Sequence, residues 1–282
     1  MVNCLSLLKC GPVGHLYWHP QGRFFAAAVS RGGCVLGDAD TGSWDTLDYR
    51  MFGPWSPEGT RVLARNRQGC WVLSWPDRQV LFELPLLPWF WSSEHILMAV
   101  KEDGFWRHEA LHLQNIHHDP DGIWKMATAI QPGKVAGLRW RPSLNQLELA
   151  SWHENSPFPT ALRLPELEEL YLSRWAWSAT KEGWVAAGGP EGRHLWAWSY
   201  PQGWSIFERK TSQRILSVEH WKDGVAWVEK DGLRCHSFLE ESTDLLPLDP
   251  SLHRCGGLAW NPMRQQFAVA TAEGVLIAQP SP

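Results

Sequence analysis

The chain has no run of lysine or arginine. Its 26 basic and 30 acidic side chains leave a formal net charge of −4. A weakly acidic surface of mixed sign gives nucleic acid nothing to steer towards, so direct nucleic-acid binding is not expected. Long apolar runs are also missing. The longest, such as 84–91, fall far below the ~18 residues of a membrane-spanning helix. The first ten residues lack the basic start and the apolar length of a secretion signal, so the expectations are no membrane and a cytoplasmic location. Six cysteines are present without a CxxC pair, which favours reduced thiols over a metal or disulfide framework. No Gly-rich phosphate loop and no G-x-S-x-G elbow occurs, and no cofactor is expected.

What is present is tryptophan, 20 residues of it, and a repeating pattern of short apolar segments. The clearest copy is 52–84, FGPWSPEGTRVLARNRQGCWVLSWPDRQVLFEL. Ser56-Pro57-Glu58-Gly59 carries type I turn chemistry, with Pro at the second position and Gly at the fourth. Arg61 to Arg65 is a strand in which Val62 and Ala64 share one face, while Leu63 sits with the two arginines and spoils the alternation. Asn66-Arg67-Gln68-Gly69 is a polar turn, and Cys70 to Trp75 is rich in β-formers. After Pro76 to Gln79 a last strand runs from Val80 to Leu84, closed by Pro85. The unit is therefore four short strands joined by tight turns.

Copies of it recur. Trp18, Trp55, Trp91, Trp140, Trp177, Trp221 and Trp260 each end a segment that reads as a first strand, at spacings of 37, 36, 49, 37, 44 and 39 residues. A mean near 40 suits the four-stranded blade of a propeller. The predicted fold is all-β, a single seven-bladed β-propeller over residues 1–282. Blades are expected near 13–49, 50–85, 86–133, 134–171, 172–214, 215–252 and 253–282. The last unit has only three strands, and Cys4 to Leu8 is an apolar segment without a unit. Pairing the two makes the N-terminal segment (1–10) the fourth strand of the last blade, closes the ring and removes an open sheet edge.

The strings WHPQG, WSPEG, WRPS and WNP, mostly followed by an apolar strand with Ala and a Gly turn, resemble the WD40 and WD40-like propeller repeats over nearly the whole chain. A Trp-Asp pair occurs at Trp44-Asp45, in the predicted fourth strand instead of at the end of the third. The resemblance implies a non-catalytic scaffold that presents propeller loops to one or more protein partners in a multiprotein assembly. Two rivals stand beside it. One is a hydrolase or lyase with titratable groups converging on the central funnel. The other is a Trp-lined propeller binding a small ligand or sugar.

His108-Glu109-Ala110-Leu111-His112 fits the HExxH zinc motif, but that motif needs a helix to bring both imidazoles to one metal. The repeat register places it along one strand, where the two histidines stand about 13 Å apart, so no metal site is expected. His117 to Gly122 reads as a polar loop between a third and a fourth strand. In a propeller, the loops joining second to third strands and unit to unit share one face. Arg31, Arg67, Asp103, His153 and Lys230 fall in the first kind of loop, and Arg50, Trp89, Arg174 and Trp175 in the second. These are the candidate binding residues, since arginine and aromatics dominate binding hot spots.

Overall fold

The computed structural model describes residues 2–29, 33–85, 89–93, 96–101, 104–109, 112–118, 122–131, 133–156, 159–162, 176–179, 183–188, 191–199, 204–221, 224–248 and 257–280. After β1 (Val2–Lys9), the first sheet is β2 (Val13–Trp18), β3 (Phe24–Val29), β4 (Gly33–Asp38) and β5 (Trp44–Leu47). The second is β6 (Met51–Trp55), β7 (Arg61–Arg65), β8 (Cys70–Ser74) and β9 (Val80–Glu83). The third is β10 (Trp89–Trp91), β11 (Ile96–Lys101), β12 (Gly104–Glu109) and β13 (His112–His118). The fourth is β14 (Ile123–Gln131), β15 (Lys134–Arg141), β16 (Gln146–His153) and β17 (Thr160–Leu162). The fifth is β18 (Ala176–Ala179), β19 (Gly183–Gly188), β20 (His194–Ser199) and β21 (Ser205–Lys210). The sixth is β22 (Ser217–Trp221), β23 (Gly224–Glu229), β24 (Gly232–Ser237) and β25 (Ser242–Pro247). The seventh is β26 (Leu258–Asn261), β27 (Gln266–Ala270), β28 (Gly274–Pro280) and, at its outer edge, β1.

Each sheet is an antiparallel meander, and the first strands meet one another around a centre. β2 touches β6 and β26, β22 touches β18 and β26, β14 touches β18, and β10 touches β6 and β14. The seven sheets thus form a closed propeller. The expected closure is present: β1 runs antiparallel to β28, from Val2 opposite Pro280 to Lys9 opposite Gly274.

Two-sided burial explains why strand patterning in the sequence is imperfect. Middle strands lie between two neighbouring sheets, so both faces of β7, β19, β23 and β27 are largely dry. Val62 and Ala64 of β7 pack towards the first sheet, whereas Leu63 packs with Cys70 and Val72 towards Trp91 of the third. All three are fully buried. The same division recurs in β27, where Phe267 and Val269 face the sixth sheet and Ala268 and Ala270 face the first. Leu63 is therefore a second core face and no flaw in the repeat.

The structure changes three sequence expectations. The fourth sheet begins at Ile123, not near 134, and Trp140 lies on its second strand, β15. The first strand β14 ends at Gln131, paired with Lys134 of β15, and the string Trp140-Arg141-Pro142-Ser143 leads instead into the next turn, a 3-10 segment at Pro142–Leu144. His117 and His118 end a fourth strand instead of lying between a third and a fourth, and residues 119–121 of the expected loop lie outside the described residues. The HExxH string does not run along one strand. It straddles the β12–β13 hairpin, with His108 opposite Leu113 and Glu109 opposite His112, so the expected spacing along a strand does not apply. Among the described residues, those on either side of the motif's centre are strands and not the helix that the zinc motif needs. Trp221 ends a first strand as expected, and its ring packs against the seventh sheet, with centroids 5.5 Å from Trp260 and 6.2 Å from Phe267. His220 takes the opposite side, against Gly183 of the fifth sheet.

Candidate interaction surfaces

The residue that follows the anchor tryptophan builds the joints between sheets. His19 is buried; its Nε2 donates to the Gly59 carbonyl at 3.0 Å while Nδ1 accepts from the Gln21 amide at 3.2 Å. That pairing requires the neutral imidazole with the proton on Nε2. Burial among the rings of Phe24, Trp55 and Trp75 lowers the pKa of His19, against the Gly59 hydrogen bond, which raises it. Asn261 does the same work between the seventh and first sheets. Its Nδ2 donates to the Gly22 carbonyl at 3.0 Å, and its Oδ1 accepts from the amides of Met263 and Arg264. Ser92 makes a third such joint, accepting from the Gly133 amide at 2.9 Å. Gly59 must be glycine on two counts: its φ is +79°, and a Cβ would lie 2.5 Å from His19 Nε2.

Anchor indoles tie the sheets in the other direction. Trp18 Nε1 donates to the Ala259 carbonyl at 3.1 Å, and Trp91 Nε1 to the Pro54 carbonyl at 3.0 Å. In each case the acceptor precedes the anchor of the preceding sheet. Outside these joints, Arg23 pairs with Asp38 at 2.8 Å and with Asp40, and Arg264 of the seventh sheet closes on Asp40. The hydrogen bond from Arg23 holds the Asp38 carboxyl below its ordinary range.

The predicted binding residues do not gather in one place. Arg50 and Arg67 are exposed on one rim of the second sheet, linked by the Arg50 amide bond to the Arg65 carbonyl at 2.7 Å. Lys230 is exposed on the same rim but in the sixth sheet. Its turn is held by Arg234, which reaches Asp231 at 2.9 Å and Glu229 at 3.3 Å, and by Trp227 Nε1, which donates to Glu229 at 2.7 Å. Trp89 opens β10 at that rim. His153 ends a third strand, opposite Lys134 and next to Gly133, so it stands on the other rim. The cause is the earlier start of the fourth sheet, which shifts its strand order by one. Arg31, Asp103, Arg174 and Trp175 lie outside the described residues.

Cys34, Cys70 and Cys235 sit on the third strands of three sheets and are buried. Burial pushes the Cys34 thiol up to about 12 and the Cys70 thiol up to about 11, and raises that of Cys235 further. These thiols are packing groups. Most described tryptophans are buried too, while Trp204 is 72% exposed and Trp44 is 42% exposed.

Two features had no signal that a single sequence pattern carries. On the inner strand β22, half-buried Glu219 accepts a hydrogen bond from Ser178 Oγ of the fifth sheet at 2.8 Å. Burial pushes its carboxyl up to about 8, although the Ser178 bond acts to lower it. The second feature is a cleft between the sixth and seventh sheets that encloses about 360 Å³. Trp221, Cys235 and Pro280 line its depth, and Leu239, Glu240 and Asp244 stand among its other walls. No Lys or Arg is among its described lining residues.

No family model matches the chain, and no curated protein matches it. Solved structures do. One is a chain of the mitotic checkpoint complex crystal structure, with a TM-score of 0.68 and 13% identity, covering 100% of this chain and 91% of that one. Another is the β-propeller domain of Cps50 (Swd1) from Myceliophteria thermophila, with a TM-score of 0.75 and 11% identity over 100% of both chains. The fold is that of a β-propeller. At these identities the likeness concerns the fold alone.

Proposed function

We propose that the chain is a protein-interaction scaffold that presents propeller turns to protein partners in a multiprotein assembly. The observation that carries this reading is the doubly tied ring. Joints such as His19 to Gly59 and Asn261 to Gly22 run one way around it, and indole bonds such as Trp18 to Ala259 run the other. A ring so fixed holds its turns in place without ordering cost at binding, which is what a docking platform needs. The mitotic checkpoint complex neighbour is a propeller within an assembly, which supports the same reading. Arg50 and Arg67 on one rim are the basic contact points proposed for that surface. Affinity purification of the tagged chain is expected to return a stoichiometric partner, and Arg50→Glu with Arg67→Glu to weaken one that docks on that rim. A chain that elutes alone from a lysate of its native cells would contradict the reading.

A funnel site is favoured by one observation, the raised carboxyl of Glu219 on an inner strand. With a folded pKa near 8 against an ordinary 4.5, the protonated form is the one the fold prefers. Its stabilising contribution is full below the ordinary carboxyl value and is lost as pH rises through about 8. Glu219→Gln is therefore expected to raise the melting temperature at pH 9 and to leave it nearly unchanged at pH 5. Identical pH profiles of variant and parent would show that the carboxyl is not desolvated.

A further inference from the structure

The outer flank of the fifth and sixth sheets carries an anchor and a recess side by side. β21 is the outermost strand of the fifth sheet, and β24 and β25 form the outer hairpin of the sixth. Between them lies an open groove of about 500 Å³, lined by Ile206, His236, Phe238 and Glu241. Its base is closed by packed rings and one crossing side chain. The Phe207 ring lies 4.3 Å from His236 and 6.4 Å from Phe238, and Arg209 crosses the seam to donate to Thr243 Oγ1 at 3.0 Å. Two residues before Ile206, the Trp204 side chain projects into solvent, 72% exposed. Its backbone is held in place, because the Trp204 carbonyl accepts from the Ser199 amide at 2.9 Å. An exposed indole on a fixed backbone, beside an apolar groove, has the makings of an interface, where tryptophan is favoured among hot spots.

The chemistry of the anchor matches that of the groove. Ile206 and Phe238 offer apolar contact, and the Glu241 carboxylate offers an acceptor. Among the described residues, neither that carboxylate nor Trp204 Nε1 has a hydrogen-bond partner. Burial and then Arg209 lower the pKa of His236, against Ser242 and Glu241, which act to raise it. The imidazole is therefore neutral at pH 7 and leaves the carboxylate charge in place. A surface that bears both a projecting group and a recess to fit it is complementary to itself about a two-fold axis, because each copy then fills the other. We infer that a second copy of this chain docks on this flank, with Trp204 of each copy seated in the groove of the other and its indole N–H donating to Glu241. The contact is small, so the dimer is reversible and depends on concentration. It goes beyond the scaffold reading and does not use Arg50 and Arg67, which lie on the second sheet.

Sedimentation velocity of the purified chain over a wide concentration series tests this. The expected result is a mass that rises from 32.1 kDa to twice that value and no further. Trp204→Ala, which removes the anchor, and Ile206→Asp, which puts a charge into the groove, are each expected to hold the chain at 32.1 kDa throughout. Glu241→Lys should raise the dissociation constant of the dimer about tenfold, or about 1.4 kcal/mol. All three residues are exposed, and near-UV circular dichroism checks that each variant keeps the fold. Trp44→Ala removes another exposed tryptophan, on the first sheet, and is expected to leave dimerisation unchanged. A parent chain that stays at 32.1 kDa at every concentration would overturn the inference. So would a dimer that survives Trp204→Ala, one lost equally in Trp44→Ala, or a species that keeps growing beyond two copies. Arg50→Glu with Arg67→Glu is expected to leave the dimer intact, so the dimer and the scaffold reading stand or fall separately.

Discussion

Two seams of the ring differ in how they are filled. Between the first and second sheets, Trp75 closes the wedge: its ring lies 5.8 Å from His19, 5.5 Å from Phe24, 5.6 Å from Trp55 and 6.1 Å from Phe52. Between the sixth and seventh, the register assigns that place to Pro280. Trp55 pairs with Val62 and Val62 with Leu73, two residues before Trp75; Trp260 pairs with Phe267 and Phe267 with Ala278, two residues before Pro280. A ring system that fills the first seam is replaced by a pyrrolidine, and the second seam keeps a cleft of about 360 Å³. The turned Trp221 adds to the contrast. Its ring packs towards the following sheet, whereas Trp55 packs towards the preceding one. One seam of the pair is specialised for cohesion. The other gives up cohesion and gains a recess, which suits a scaffold that must be rigid and still leave somewhere for a partner to sit.

The largest effect is expected where the ring is held shut. Deleting residues 1–10 removes β1, exposes the edge of β28 and opens the seventh sheet beside the sixth. The melting temperature should fall by well over the few degrees per kcal/mol typical of single substitutions, and an unchanged scan would break the closed-ring account. Next comes the filled seam. Trp75→Ala takes half-buried aromatic surface from the first interface and is expected to cost about 2–4 kcal/mol in urea unfolding, with the free energy, not the slope, changing.

The two joints allow a finer comparison, because one titrates and the other does not. The depressed pKa of His19 means that its stabilising contribution is present above the ordinary imidazole value and is lost as pH falls through the folded one. His19→Asn puts into the first joint the residue that already serves in the joint between the seventh and first sheets. Thermal scans from pH 7.5 to about 5 should show a smaller loss of stability in that variant than in the parent. Parallel curves would show that His19 does not carry the acid sensitivity. The smallest effect is expected at the open seam. Pro280→Trp meets empty space, so it should shift stability by less than about 1 kcal/mol, in contrast with Trp75→Ala. A loss as large as that of Trp75→Ala would mean that the cleft is packed tightly.

Much of the ring was legible in the sequence, because the repeat is a matter of local chemistry. The turn of Ser56 to Gly59, the polar turn before Cys70 and the stop at Pro85 set one unit, and the short last unit pointed to β1 as its fourth strand. The register failed where local chemistry imitates itself. Trp140-Arg141-Pro142 has the composition of a first turn but serves as a second, and the unusually long spacing of 49 residues before Trp140 was the trace of that shift. From it followed the displacement of His153 to the opposite rim. The seams were less legible still. Polar residues directly after an anchor (His19, Ser92, Asn261) were visible as a pattern, yet their partners lie 40, 41 and 239 residues away. The cleft depends on one residue, Pro280, being smaller than its counterpart, and on the face to which Trp221 turns. Neither can be read from periodicity, because both depend on which sheet becomes the neighbour.

The central claim is that this ring works by holding a protein. The most direct measurement is mass determination, by light scattering after affinity purification, of the native chain beside a variant carrying Arg50→Glu and Arg67→Glu together. The account predicts a complex of fixed stoichiometry for the native chain and a weakened complex for the variant. A native chain that is purified alone, or a complex that survives both substitutions unchanged, would contradict it.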